Sequence, residues 1–216
     1  DTAIAYLHDG LTGDPRLDSA TLYMTGLIEM SAGNDEAAVE TFESLWDSGG
    51  QLAIGVEAYA QLLAANGQRD RALLLLNRFR TEVGHNAALE RLRMAIISGD
   101  DIKVRRLNPK EGAALAVYIP AAALMSQTDD DVAAVYFALA LALDPDLHVA
   151  RSLWGQALDN AGRRDEAIAV LARIPEGSAF YATSRGQIAW ALRRSDREEA
   201  AMAVAGEALR HSPDRG

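Results

Sequence analysis

The sequence contains no cysteine. Disulfides, thiolate metal sites and cysteine nucleophiles are therefore excluded together. No stretch approaches the roughly 18 uninterrupted apolar residues that cross a bilayer, and no charged start leads into an apolar core of the signal-peptide kind. Basic residues are scarce beside acidic ones, 21 against 31, which leaves a net charge of -10 on 216 residues. Such a chain repels phosphate backbones and anionic headgroups. Neither nucleic acid nor direct membrane insertion is expected, whereas a basic or neutral protein partner fits.

Catalytic and metal-binding patterns are missing too. There is no GxGxxG, no phosphate-binding loop and no GxSxG elbow. His8, His85, His148 and His211 stand far apart, without a second histidine or carboxylate at a helical spacing strong enough to name a metal site. Asp129, Asp130 and Asp131 form an acidic run, yet it lacks the alternating ligand positions and distal glutamate of a calcium loop. Negative charge at the start of a helix explains it. Paired acids such as Asp35 with Glu36, or Glu198 with Glu199, recur at the same place in successive units, so their origin is structural. No catalytic residue, cofactor or metal is expected, and the chain does not read as an enzyme.

What the sequence does have is a period. The segments DTAIAYLHDGLTGDP, DEAAVETFESLWDSG, RDRALLLLNRFRTEVG, DDVAAVYFALALALDP, RDEAIAVLARIPEG and REEAAMAVAGEALRHSP each run from polar residues through an alanine into apolar residues at helical spacing. The opening alanines are Ala3, Ala37 or Ala38, Ala72, Ala133, Ala167 and Ala200 or Ala201. They recur about every 34 residues, a spacing that signals stacked helical hairpins. One longer interval, from Ala72 to Ala133, takes in a full period and a shortened unit. Five first helices precede these segments, among them AIGVEAYAQLLAANG and VARSLWGQALDNAG, and several end in a glycine turn such as Gly33, Gly67 or Gly162.

Small residues inside the first helices (Gly26, Ala60, Ala121, Gly155), the DEA or DRA start of the second (Asp35 to Ala37, Asp70 to Ala72, Asp165 to Ala167) and a closing Asp-Pro (Asp14 and Pro15, Asp144 and Pro145) resemble the tetratricopeptide repeat over nearly the whole chain. The resemblance implies an all-α fold, an α-solenoid or right-handed superhelix of about six antiparallel helix-turn-helix repeats. It divides the chain into an N-terminal stack over 1-98 that begins with a half repeat, an irregular link over 99-109 and a C-terminal stack over 110-216. The opening from Asp1 to Pro15 reads as a second helix whose partner is absent, and the sequence accordingly as a piece of a longer protein. From Glu111 to Leu192 it is similar to the C-terminal half of long, mostly uncharacterised alphaproteobacterial tetratricopeptide proteins, many of them exported, a resemblance that favours the bacterial periplasm slightly over the cytoplasm and implies no reaction.

The middle departs from the pattern. Ala88, Leu89, Leu92, Ala95 and Ile96 make Asn86 to Ser98 one amphipathic helix. GDDIKVRRLNPKEG then lacks a helical period and reads as a loop or extended link from Gly99 to Leu107, with Asn108 as cap and Pro109 at the first helical position. Pro120, deep in the next helix, removes a donor and is expected to kink it. Lys103, Arg105, Arg106 and Lys110 are the dense basic patch of an acidic chain, and three readings stay open: an acidic partner, the array's own acidic surface, or plain solvation.

In the family, first helices line a concave wall, and carrying its groove-facing stripe onto this chain picks out candidate peptide-binding residues. They are Tyr23, Leu27 and Met30; Glu57 and Gln61; Tyr118, Ala122 and Met125; Gln156, Asp159 and Asn160; and Trp190, Arg193 and Arg194. Tyr and Met at this spacing are more often interhelix core than ligand contacts. Trp46 and Trp154 are assigned to packing, and Asp196, Glu198 and Glu199 lie close enough in sequence to absorb the two arginines. The lysine and asparagine clamp of chaperone-binding members is replaced by Tyr23, Glu57, Tyr118 and Ser152. The expected function is a non-catalytic scaffold that binds a protein or peptide in its groove. The alternative is an assembly module that self-associates through its terminal repeats into a homo-oligomer, with Ile4, Leu7 and Leu11 presented.

Overall fold

The computed structural model describes residues 2–13, 15–124 and 130–210, and all regular structure in them is helical. Asp14, Asp129 and His211, singled out above, lie outside the described residues. The chain divides into two compact units, Asp1–Asn108 and Pro109–Gly216. Unit 1 holds α1 (Thr2–Asp9), α2 (Pro15–Ala32), α3 (Asp35–Asp47), α4 (Ala53–Ala65), α5 (Arg69–Glu82) and α6 (Ala87–Ser98). Unit 2 holds α7 (Pro109–Leu124), α8 (Asp130–Leu143), α9 (His148–Asn160), α10 (Arg164–Leu171), α11 (Tyr181–Arg193) and α12 (Glu198–Arg210). The heaviest contacts pair α2 with α3, α4 with α5, α7 with α8, α9 with α10 and α11 with α12. Each unit is thus a stack of antiparallel hairpins, as an α-solenoid requires.

Small residues set the pairing. A Cβ built on Gly26 of α2 would lie 2.7 Å from Phe42 Cε1 of α3, and one on Gly155 of α9 would lie 2.4 Å from Leu171 Cγ of α10. The step along the chain from Gly26 to Phe42 is the same as that from Gly155 to Leu171. Ala60 stands to Leu76, and Ala121 to Phe137, at that same separation, and all four are buried. The second-helix alanines Ala38, Ala72, Ala133 and Ala167 are fully buried, and Ala201 nearly so. Backbones that approach this closely leave the larger side chains to fill the space on either side.

Those larger side chains form the cores. In unit 1, Phe42 lies between Tyr23 and Tyr59, at 6.5 and 6.4 Å between ring centroids, which ties three successive helices together. Tyr118 and Phe137 pair similarly in unit 2, at 6.3 Å. Farther along unit 2, Leu171, Ile174, Ile188, Leu192 and Ala201 join α10, α11 and α12, with Phe180 packed against them. Trp46 is buried and Trp154 half-buried, in keeping with their assignment to packing.

The turns follow one design with one exception. Gly33, Gly67 and Gly162 take φ of +86°, +79° and +79°, where a Cβ is disfavoured. Asp196 follows Gly162 by one period and holds φ +57° as the non-glycine residue there. Asp196→Gly is expected to stabilise the last hairpin by about 1 kcal/mol, read as a raised urea midpoint, because the left-handed conformation penalises a side chain by about that much. An unchanged or lower midpoint would mean that the aspartate is not strained.

The helix that enters the irregular middle has the ends its sequence suggests. Asn86 Oδ1 accepts from the amides of Ala88 and Leu89, at 3.0 and 3.2 Å, and starts α6. Gly99, at φ +81°, ends it. α7 begins at Pro109 and continues through Pro120 without a break in the helix. The link between them belongs to unit 1. At the other end of that unit, Asp18 accepts from the amides of Thr12 and Gly13, both at 2.7 Å, which closes the α1–α2 turn and holds its carboxyl below the usual range.

Candidate protein-binding site

First helices stand side by side: α4 contacts α6, while α9 contacts both α7 and α11. Along this wall the expected groove residues separate by burial. Tyr23, Leu27 and Met30 are buried in the core of unit 1, and Tyr118 in that of unit 2, where burial pushes its phenol up to about 12. Those four side chains pack between helices and offer no surface. Glu57, Gln61 and Ala122 are half-buried, and Met125 lies outside the described residues. Gln156 and Asn160 on α9, Trp190 and Arg193 on α11, and Arg194 just after it are exposed.

The repeat period makes Leu27 and Gln61 equivalent in unit 1, and Gln156 and Trp190 equivalent in unit 2. The same register is covered at Leu27 and open at Trp190, which is 58% exposed. An indole that open is the exception for its size, since Trp is highly buried on average.

The open part of the wall is cross-linked between α9 and α11. The Ser152 hydroxyl donates to Gln187 Oε1 at 3.1 Å, and the Gln187 amide nitrogen donates to the Ser152 carbonyl at 3.4 Å. Two turns on, Asp159 forms an ion pair with Arg194 and approaches Arg164 at 4.0 Å. The Ser152–Gln187 and Asp159–Arg194 links span the same step along the chain, so Gln156 on α9 and Trp190 on α11 fall between them at matching heights. The Asp159 pairing differs from the sequence expectation, in which nearby acids after the helix absorbed both arginines. Arg194 is drawn instead to a carboxylate only 10% exposed on the neighbouring first helix. Arg193 lies with its guanidinium carbon 5.1 Å from the Trp190 ring centroid. The pair thus sets a guanidinium, a group suited to a carboxylate, beside an open aromatic ring.

Chemically the seam offers an open aromatic face, a cation beside it and two amide side chains on a cross-linked base. That set can hold a peptide's apolar side chain, its backbone amides and an acidic group. Among the described residues no cluster of histidines or acids could hold a metal ion, and no helix is long and apolar enough to cross a membrane.

In unit 1 the wall carries the link. Arg106 donates to the Met30 carbonyl and forks onto Asp35, with 2.5 and 2.9 Å to the two carboxylate oxygens. Its guanidinium holds the Asp35 carboxyl below the usual carboxylate range. Glu57 moves the other way: burial raises it, and the charge of Arg105 partly offsets the rise. Of the three readings of the basic patch, the array's own acidic surface is the one observed for Arg106. A second concavity, on the α3, α4 and α5 side, is lined by Glu43, Trp46, Tyr59, Arg71, Leu74 and Arg78. No pattern in the sequence points to it, and Glu43 pairs with Arg71 within it at 3.0 Å.

Hairpins built on small-to-large positions at one fixed step, repeated in both units, define an all-helical stack of antiparallel hairpins, an α-solenoid fold. No protein-family model and no curated protein matches the sequence. Among solved structures it is similar to a crystal structure of MamA, at 15% identity over 86% of this chain and 93% of that one, with a TM-score of 0.44. It is likewise similar to YrrB, described as a TPR protein with an unusual peptide-binding site, at 15% identity over 90% and 87% of the two chains and a TM-score of 0.44. A third is MamA 41-end from Desulfovibrio magneticus RS-1, at 16% identity over 92% and 97%, with a TM-score of 0.42.

Proposed function

We propose that this chain is a non-catalytic scaffold that holds a protein segment against the α9–α11 seam of unit 2. The observation that carries the reading is the exposed Trp190 with Arg193 over its face, set on a seam fixed at Ser152–Gln187 and Asp159–Arg194. Large aromatics flanked by arginine are the residue types that dominate binding energy at interfaces. The segment recognised is an extended peptide with an apolar side chain for Trp190 and an acidic group for Arg193. Selection of random displayed peptides on the purified chain tests this. Enriched sequences should carry that pairing and lose affinity on Arg193→Glu. Binders that hold equally well to the Arg193→Glu protein would remove the seam from the account.

Self-association is the second reading, and one observation favours it. Val132, Val135, Tyr136 and Leu139 form an exposed stripe at helical spacing along α8, 46%, 67%, 39% and 49% open. By contrast Ile4 and Leu7 of α1 are half-buried, while Leu11 beyond the helix is exposed. A second copy laid on the α8 stripe should give a dimer mass by light scattering that reverts to monomer with Val135→Lys. A monomer at every concentration rejects the reading.

A further inference from the structure

The link of unit 1 leaves the C-terminal end of α6 and returns to the C-terminal end of α2. Arg69 secures its start, donating to the carbonyls of Ile96 at 3.3 Å and Asp100 at 2.7 Å. Its far end is anchored by Arg106 on Asp35 and the Met30 carbonyl, and by the Leu107 amide, which donates to Ser31 Oγ at 3.3 Å. Between these anchors burial alternates over four residues, Ile102 and Val104 half-buried and Lys103 and Arg105 exposed; Arg106 is exposed as well, and Leu107 is half-buried. A period of two is the signature of an extended segment laid with one side on a surface. Residues 101–107 stretched at about 3.3 Å each reach roughly 23 Å, enough to pass α4 on the way from α6 to α2. Leu27, at a position whose equivalents Gln156 and Trp190 stand open in unit 2, is buried in this unit.

We propose that residues 101–107 are a built-in ligand of the first-helix wall of unit 1, and that this wall is a docking site for an extended peptide of alternating apolar and basic residues ending in Arg-Arg-Leu. The recognition elements are Asp35 and the Met30 carbonyl for the second arginine, Ser31 for the backbone after it, Glu57 for the first, and the surface against which Ile102 and Val104 are half-buried. A partner segment of that chemistry competes with the link, which holds its place at the millimolar effective concentration typical of a short tether. The inference stands on unit 1 alone and does not depend on the α9–α11 seam, so either can fail without the other.

The test is fluorescence anisotropy with a labelled synthetic peptide of residues 100–108 added to the full chain. Unaltered protein should bind it weakly. Arg106→Ala, which frees the tether's anchor and leaves the peptide's own arginines intact, should bind at least tenfold more tightly. Adding Asp35→Lys to Arg106→Ala should cancel the gain. No gain with Arg106→Ala, or a gain that survives Asp35→Lys, overturns the proposal. Amide exchange on the unaltered chain gives an independent check, valid even if a variant folds poorly. Saturating peptide should speed exchange over residues 101–107 by displacing them, and unchanged exchange there contradicts the competition.

Discussion

Leu171→Ala is expected to lower the stability of unit 2 by about 2–5 kcal/mol, the range for truncating a leucine in a core that cannot collapse. Leu171 is fully buried, and its side chain occupies the space left by the missing Cβ of Gly155. Its neighbours Ile174, Ile188 and Leu192 belong to the cluster joining α10 to α11. α10 is only eight residues long, too short to hold a helix by its own hydrogen bonds, so its position depends on this packing. Repeat stacks can open in parts, which makes a single unfolding midpoint a blunt reading. Amide exchange is the sharper one: protection across α9, α10 and α11 should fall by the stated free energy. Protection unchanged within about 0.5 kcal/mol would place Leu171 outside the element that holds the hairpin.

Trp190→Ala is expected to weaken a peptide selected on the native chain by about 30-fold or more, the effect of about 2 kcal/mol that marks a central interface aromatic. The stability of the free protein should change by no more than about 0.5 kcal/mol, because the indole is mostly open and belongs to neither core. The combination separates a binding role from a structural one. Arg193 lies on the same ring, so the loss at Trp190 and the loss at Arg193 should not add. A Trp190→Ala protein that binds as before would leave the exposure of this residue without a function in recognition.

The architecture was largely legible in the sequence because the hairpin contact is made by residue size at fixed spacing. Gly26, Ala60, Ala121 and Gly155 announce where backbones meet, and Phe42, Leu76, Phe137 and Leu171 follow them at one constant step. Asn86 and Gly99 marked α6 through local cap chemistry, which needs no tertiary information. Of the expected groove residues, the exposed ones lie in unit 2, at Gln156, Asn160, Trp190, Arg193 and Arg194. Tyr23, Leu27 and Met30 share a helical face with Gly26, and their register alone does not say whether anything lies over them. In unit 1 the chain returns across that wall, and the return is fixed by contacts of Arg106 and Leu107 with α2 and Asp35, which lie far back in the sequence. Nothing in a local window encodes such a contact. The Asp159–Arg194 pair was missed for the same reason: its members sit on different hairpins, while Asp196, Glu198 and Glu199 stood closer in sequence.

The close meeting of a small residue with one large one, made by Gly26 with Phe42 and by Gly155 with Leu171, sets the packing of the hairpins. A double-mutant cycle on Gly155 and Leu171 measures it most directly. Gly155→Ala alone should cost about 1–3 kcal/mol through overpacking, reduced by the roughly 1 kcal/mol that alanine gains in helix propensity. With Leu171→Ala also present, the new methyl enters the vacated space. The two losses should then sum to at least about 1 kcal/mol more than the loss in the double variant. Losses that add within about 0.5 kcal/mol would show that the two residues do not touch, and would contradict the hairpin contact on which the stack is built.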